Sequence, residues 1–334
     1  MNRTVIKGLG SFLPENVVRN SDLEKLMDTN DQWIQERTGI RERRWVDDKK
    51  ETTSTMGVKA ARKAMEMAGV GSGDIDFVIF ATLSPDYYFP GSGVLVQRDL
   101  GLKNVGAMDL RNQCSGFIYG LSVADQFIKT GMYKNILLIG SELHSGALEK
   151  NTNGRAVSVI FGDGAGAVVL SVAEGQDRGV LSTCMHSEGE YAEELMIQGP
   201  ATSHWVDEIL QADGYNEAAW RPHMNGNFVF KHAVTRMPEA IEEVLAKAGK
   251  TADEIDLLIP HQANLRISAV VQKHFKLPDS KVFNNIQTMG NTTAGSIPIA
   301  MTQALEEGKL KRGDLLCLAA FGSGFTWGAA LLEF

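Results

Sequence analysis

The sequence predicts an α/β protein made of two related halves, and three observations carry that expectation. Residues 64–80 (AMEMAGVGSGDIDFVIF) and 244–260 (VLAKAGKTADEIDLLIP) follow one plan at an offset of 180. Each reads as an amphipathic helix, a glycine stop (Gly69, Gly249), a polar loop and an apolar strand. Residues 114–131 and 291–308 match at an offset of 177, both small-residue openings into a helix that ends at glycine, which sets Cys114 opposite Asn291. NILLIGSE (135–142) resembles DLLCLAAF (314–321). Offsets that stay nearly constant over three segments argue for duplication rather than chance likeness of α/β units. The halves are expected at 1–172 and 173–334.

In chain order, residues 4–9 read as a first strand. The glycines at 8 and 10 make a poor dinucleotide fingerprint, because no helix opens behind them. Segment 19–40 has a polar helix start (Asn20, Ser21, Asp22) and then NDQWIQERTGI, in which Trp33 and Arg37 share a helix face. An indole beside a guanidinium suits a flat, charged ring system such as adenine with its phosphates. A helix (55–69) and a strand (76–81) lead to the loop Ser84–Gly93, whose Tyr87, Tyr88 and Phe89 suit an interface or a pocket wall. A helix (94–101) and a strand (Asn104–Asp109) precede Cys114, at the mouth of a helix with apolar face Phe117, Ile118, Leu121, Ala124, Phe127 and Ile128. The unpaired N–H groups and partial positive charge of a helix mouth favour a thiolate there.

A strand (135–141), a polar loop (142–156) holding Arg155, and VSVIFGDGAGAVVLSV with Phe161 close the first half. Residues 187–227 lack periodicity, carry Trp205 and Trp220, and read as an insertion that covers a pocket as a lid. Then come a helix from Phe228 to Ala248, a strand (256–260) ending at His261, a helix (264–275) and a short strand (278–282). The Asn291 helix carries Pro298 in its first turns, where a missing N–H costs least. A strand, the FGSGF turn (321–325) and a last strand end the chain.

Composition narrows the function. With 334 residues, 43% hydrophobic and 22% charged, the chain is an ordinary globular protein. A net charge of −8 argues against nucleic acid as a bulk electrostatic partner. Three cysteines (Cys114, Cys184, Cys317) far apart make neither a disulfide framework nor a zinc site, so no metal is expected, and they fit a reducing cytoplasm. The N-terminal apolar run is broken by Lys7 and does not read as a signal peptide, and no run approaches a membrane span.

If the halves face each other, one pocket holds Cys114, His261 and Asn291. A thiol can take an acyl group from a thioester, while imidazole and carboxamide N–H groups can stabilise the enolate left when a malonyl thioester loses CO₂. Backbone N–H groups of Cys114 and Ser323 are candidates for the oxyanion of the tetrahedral intermediate. The other histidines (His144, His186, His204, His223, His232, His274) read as core or surface side chains. A cysteine hydrolase also uses a thiol, an imidazole and an amide, but the duplicated α/β pattern and the ring clamp speak against it. A module that only carries acyl groups would tolerate loss of His261 and Asn291.

The motifs GLGSFLPENVV, DQWIQERTGIRER, CSGF, IFGDGAGA, PHQANLRI, GNTTAGSIP and FGSGFTWGAALLEF, in this order, resemble the β-ketoacyl-acyl carrier protein synthase III family of thiolase-like condensing enzymes. The resemblance implies a duplicated five-layered αβαβα fold, a homodimer, and no cofactor beyond coenzyme A thioester as substrate. It implies acyl transfer from acyl-CoA to Cys114, then decarboxylative condensation with malonyl-acyl carrier protein assisted by His261 and Asn291. It places Trp33, Arg37 and Arg155 at the coenzyme A nucleotide and Asn264 near the pantetheine arm. Lys231, Arg266 and Lys273 fall in or beside the basic patch for the acidic carrier protein. Phe89, supplied by the partner subunit, and Phe161 are expected at the acyl pocket. RNQ before the cysteine and Ser323 in the last turn depart from the usual small residues, and 187–227 is longer than in compact members. The alternative is a relative from specialised metabolism with another acyl donor or acceptor.

Overall fold

A computed structural model describes residues 2–173, 178–199, 201 and 221–334. Its strands are β1 (Thr4–Phe12), β2 (Val17–Arg19), β3 (Glu42–Arg44), β4 (Phe77–Ala81), β5 (Gly106–Leu110), β6 (Asn135–Glu142), β7 (Gly164–Val172), β8 (Gly179–Ser187), β9 (Leu195–Met196), β10 (His223–Met224), β11 (Leu257–Pro260), β12 (Leu315–Gly322) and β13 (Thr326–Glu333). One sheet runs β1-β7-β6-β4-β5 and the other β11-β12-β13-β8. In the first, β4 is parallel to β5 and β6, and β7 is antiparallel to β6 and β1. In the second, β11 is parallel to β12, and β13 is antiparallel to β12 and β8. A parallel bridge from Leu258 to Val282 adds the counterpart of β5.

The central strands of both sheets are buried on both faces, so they are apolar runs whose alternate residues enter different cores. Ile136 and Leu138 of β6 and Leu316 and Leu318 of β12 face the core between the sheets, around helices Gly116–Lys129 and Ser296–Glu306. Leu137 and Ile139 face helix Thr53–Ala68 on one outer side. Leu315 and Cys317 face helices Gly226–Ala248 and Leu265–His274 on the other. The layers are therefore α, β, α, β, α. Phe117, fully buried between the sheets, contributes about 1.5–3 kcal/mol by the transfer of its ring alone.

The repeat recurs in backbone detail. Helices Thr53–Ala68 and Gly226–Ala248 stop at Gly69 and Gly249, each at φ 65 in the left-handed region that favours glycine. The two central helices are preceded by 3-10 turns, Gln113–Ser115 and Thr293–Gly295, opening on positive-φ residues Gln113 (φ 42) and Thr293 (φ 51). The offset here is 180, so Cys114 lies opposite Ala294 and not, as expected, opposite Asn291. The second helix has 11 residues against 14, and matching the helix ends shifted the comparison by three.

Two other expectations are corrected. Residues 278–282 form a 3-10 turn, Asp279–Lys281, and a single bridge at Val282. Pro278, Asp279 and Lys281 offer little to a strand. Residues 142–156 are not wholly loop, since a short helix begins at Arg155 (Arg155–Ser158). Within 187–227 a 3-10 helix (Gly189–Glu194) precedes β9, which pairs with β10; residues 200 and 202–220, with Trp205 and Trp220, lie outside the described residues.

Candidate active site

A pocket of about 490 Å³ opens where the two sheets' loop ends meet. Cys114, His261 and Asn291 all line it, with Trp33, Arg37 and Asn264 toward another part of its wall. Leu195, Met224 and the first residues of helix Gly226–Ala248 also line it.

Cys114 is carried on its 3-10 turn against the end of β12. A Cβ on Gly322 would fall 2.6 Å from Cys114 Cβ, so only glycine lets the strand pass this close. The other half shows the converse: a Cβ on Gly140 of β6 would fall 2.2 Å from the Ala294 carbonyl oxygen. Ser115 Oγ, 2.7 Å from Thr326 Oγ1, ties the cysteine turn to β13. The resting sulfur is a thiol, against the expectation of a thiolate. Burial, reinforced by the nearby Glu142 carboxylate, pushes it up to about 12, and a backbone hydrogen bond only partly offsets this. Glu142 is itself fully buried and pushed up to about 7 by burial, although Thr82 Oγ1, Ser84 Oγ and the N–H groups of Leu83 and Ser84 donate to it.

His261 follows the wholly buried β11, and its N–H donates to Ala319 O at 2.8 Å. Its Nδ1 lies 2.6 Å from Ser296 Oγ, which also accepts the Gln262 N–H at 3.4 Å. A hydroxyl proton turned to Nδ1 leaves the proton of a neutral ring on Nε2. The ring is neutral, because burial pulls it down to about 3. Nε2 is buried with no hydrogen-bond partner among the described residues. Asn291 is anchored through its backbone: its N–H donates to Ile160 O and its carbonyl accepts the Gly162 N–H. Its Oδ1 accepts the Thr293 N–H at 2.8 Å, so Nδ2 is the end left to donate into the pocket.

The remaining candidates divide. The Trp33 ring has the Arg37 guanidinium 4.4 Å and the Arg155 guanidinium 4.8 Å from its centroid. Arg155 reaches there while donating to Asp28 O and does not itself line the pocket. Asn264 caps helix Leu265–His274 and donates to Arg37 O at 2.9 Å, joining the clamp to the second half. Phe161 lines the pocket. Ser323 does not; its Oγ donates to Leu195 O, and Gly322 before it forms the wall. Phe89 is 82% exposed and away from this pocket. Lys231 and Lys273 are exposed outside it, whereas Arg266 lines it and lies over Phe230.

Sequence reasoning missed Ser296 and Thr293, and it set His144 aside as an ordinary histidine. His144 is buried at this site, with Nε2 2.6 Å from Thr293 Oγ1. The available signal was its place just after a buried strand, as for His261. Elsewhere Cys184, His186 and Glu243 bring ligand atoms within 4.8 Å of one another, but Glu243 already pairs with both His186 and Lys247.

Family models described as 3-oxoacyl-(acyl-carrier-protein) synthase III and its C-terminal region match residues 108–189 and 245–334. A β-ketoacyl-(acyl-carrier-protein) synthase III of Rhizorhabdus wittichii is 44% identical over 335 residues and is matched over 100% of both chains. The chain belongs to the β-ketoacyl-acyl carrier protein synthase III family. The crystal structure of the Aquifex aeolicus synthase III superposes with a TM-score of 0.89 at 45% identity, covering 99% of this chain and 100% of that one. The priming β-ketosynthase of the R1128 polyketide pathway superposes with a TM-score of 0.89 at 30% identity, over 99% and 96%. Membership makes this a thiolase-like condensing acyltransferase that initiates fatty acid biosynthesis from acyl-CoA and malonyl-acyl carrier protein. Among the described residues, no helix is long and apolar enough to cross a membrane.

Proposed function

We propose that Cys114 is the acylated nucleophile and that His261 and Asn291 stabilise the enolate of the second substrate. The observation that carries this reading is the meeting of one thiol, one neutral imidazole with an unpartnered Nε2, and one carboxamide with its oxygen already engaged, in a single pocket. In the first half-reaction the sulfur attacks the acyl-CoA carbonyl, the C–S bond to coenzyme A breaks, and the thiol proton ends on the departing coenzyme A sulfur. In the second, the malonyl carboxylate leaves as CO₂, and the enolate oxygen accepts from His261 Nε2–H and Asn291 Nδ2–H. The carbanion attacks the acyl-cysteine, whose oxyanion takes the backbone N–H groups of Cys114 and Ser323. Collapse expels the Cys114 thiolate, which takes up a proton, and 3-ketoacyl-carrier protein departs. Two aligned donors in a buried site contribute about 10²–10³-fold each.

Trp33, Arg37, Arg155 and Asn264 hold coenzyme A, the rings and guanidiniums at its nucleotide end. Lys231, Arg266 and Lys273 receive the acidic carrier protein by local field, whatever the overall charge. The protein acts in the cytoplasm as a homodimer of chains with halves 1–172 and 173–334, needing no resident cofactor. Phe89, exposed in one chain, reaches the partner's acyl pocket, to which Phe161 also belongs; Leu195 and Met224, from the described part of 187–227, line the same pocket. The likeness to a polyketide priming enzyme supports a second reading, a specialised-metabolism donor or acceptor on the same chemistry. Intact-mass measurement after incubation with acyl-CoAs of graded length and branching separates the two. The primary role predicts Cys114 acylation together with CO₂ release from malonyl-carrier protein. Acylation without such release rejects the primary role, and no adduct on Cys114 rejects both readings.

A further inference from the structure

His144 belongs to no part of the chemistry so far, yet it is buried beside it. It follows β6, its N–H donates to Asp163 Oδ1 at 2.7 Å, and its ring centroid lies 4.6 Å from that of Phe161. Its Nε2 meets Thr293 Oγ1 at 2.6 Å. Thr293 is buried and holds φ 51, a left-handed conformation that a β-branched residue adopts only under constraint. That conformation aims the Thr293 N–H at Asn291 Oδ1, 2.8 Å away. Asn291 bridges back to Phe161, the residue under the His144 ring. The circuit from imidazole to hydroxyl, strained amide and carboxamide therefore closes on itself.

We propose that His144 is a positioning residue for Asn291, acting through Thr293 so that Asn291 presents Nδ2, and not Oδ1, to the pocket. An Asn291 turned the other way would set an acceptor against the developing enolate, converting a stabilising contact into a repulsive one. The inference deepens the reading of Asn291 as an enolate donor and rests on it. No comparable dependence falls on Cys114, so the two half-reactions respond differently.

The test uses His144→Leu, His144→Gln, which retains a polar group near the Nε2 position, and Thr293→Val, which keeps the shape but loses the hydroxyl. Two rates are read on the folded full chain: Cys114 self-acylation by acyl-CoA, and CO₂ release from malonyl-carrier protein. His144→Leu and Thr293→Val are expected to slow CO₂ release about 10-fold or more, as misplacement of a catalytic contact does, with self-acylation within about 2-fold. His144→Gln is expected to recover most of the loss. If His144→Leu does not fold, Thr293→Val and His144→Gln carry the same comparison. Equal loss of both rates in folded variants, or loss of neither, overturns the inference. Asn291→Ala is run alongside. If it releases CO₂ at the wild-type rate, the reading of Asn291 fails and the inference falls with it. If it is slow while the His144 and Thr293 variants are not, the inference alone fails.

Discussion

The two helix mouths at the centre of the molecule share one backbone and almost none of their chemistry. Each is a 3-10 turn opening on a positive-φ residue, Gln113 or Thr293, and leading into a buried helix. Each is admitted by a glycine in a strand of the other sheet, Gly322 for the first and Gly140 for the second. At the central position one turn carries Cys114 and the other Ala294. The second half places its polar groups to either side of that position, Asn291 before the turn, Ser296 after it, and His261 at the end of the neighbouring strand. Duplication thus supplies two similar frames facing one cavity, and divergence puts the sulfur in one and the N–H donors in the other.

The strongest way to break this comparison is to move the thiol. Cys114→Ala combined with Ala294→Cys keeps one thiol at each frame's central position, yet Ala294 is 1% exposed and does not line the pocket. Acyl transfer is expected to stay at least ~10³-fold down, as for loss of a nucleophile; intact-mass detection of an acyl group on position 294 would refute the asymmetry. The glycine contacts come next. Gly322→Ala drives a methyl into Cys114 and should slow self-acylation by roughly 10²-fold, with a loss of about 1–3 kcal/mol in denaturant unfolding. Gly140→Ala meets backbone at Ala294 and should show a stability loss at least as large, because backbone yields less than a side chain.

The Trp33 cluster, proposed above to hold the nucleotide, belongs mainly to the first half, and a smaller effect is expected there. Trp33→Ala should raise KM for acyl-CoA roughly 5–10-fold with kcat nearly unchanged, since the stacking acts equally on ground and transition states. An unchanged KM would detach the Trp33 cluster from the donor site.

The mildest test is the pH dependence of stability. His144 and His261, one from each half, are pulled down to about 3 from an ordinary 6.5. Between those values the unfolded chain binds the protons that the folded chain excludes, so acidification destabilises. Glu142, pushed up to about 7 from 4.5, holds its proton in the folded state and acts in the opposite sense between those values. Among these three groups the net is one proton between pH 4.5 and 6.5, on the order of 1.4 kcal/mol per pH unit; below 4.5 carboxyls such as Asp163, raised by burial, and Glu254, lowered by its hydrogen bond with Lys250, titrate as well. Urea titrations along the pH axis measure this slope. His144→Leu should remove one proton's worth, and an unchanged slope would mean that His144 is not held neutral.

Much of the frame was legible because it is local. Gly69 and Gly249 announced helix ends, and apolar runs announced strands buried on both faces. Cys114, His261 and Asn291 stood out because each is a polar group at the loop end of a buried segment. The register of the repeat was less legible: matching helix ends set Cys114 against Asn291, although a shorter second helix puts Ala294 there. The strand expected at 278–282 contracted to one bridge at Val282, since polar residues beside a proline form a turn as readily as a strand.

By itself the sequence determined the alternation of helices and strands, the duplication, the family, and which three side chains to expect in one pocket, Cys114, His261 and Asn291, which do line it together. These follow from spacing, from residues near in the chain, and from motif order. Only the tertiary structure decided that the thiol is un-ionised, that Ser296 and Thr293 orient the imidazole and the carboxamide, that His144 stands behind Thr293, and that Gly322 exists to let Cys114 in. Most of these depend on groups brought together from far apart in the chain, 35 residues for Ser296 and His261 and 149 for His144 and Thr293, although Thr293 and Asn291 are near neighbours. Their physics is desolvation and hydrogen bonding in a closed interior, which arises only after the two sheets have packed.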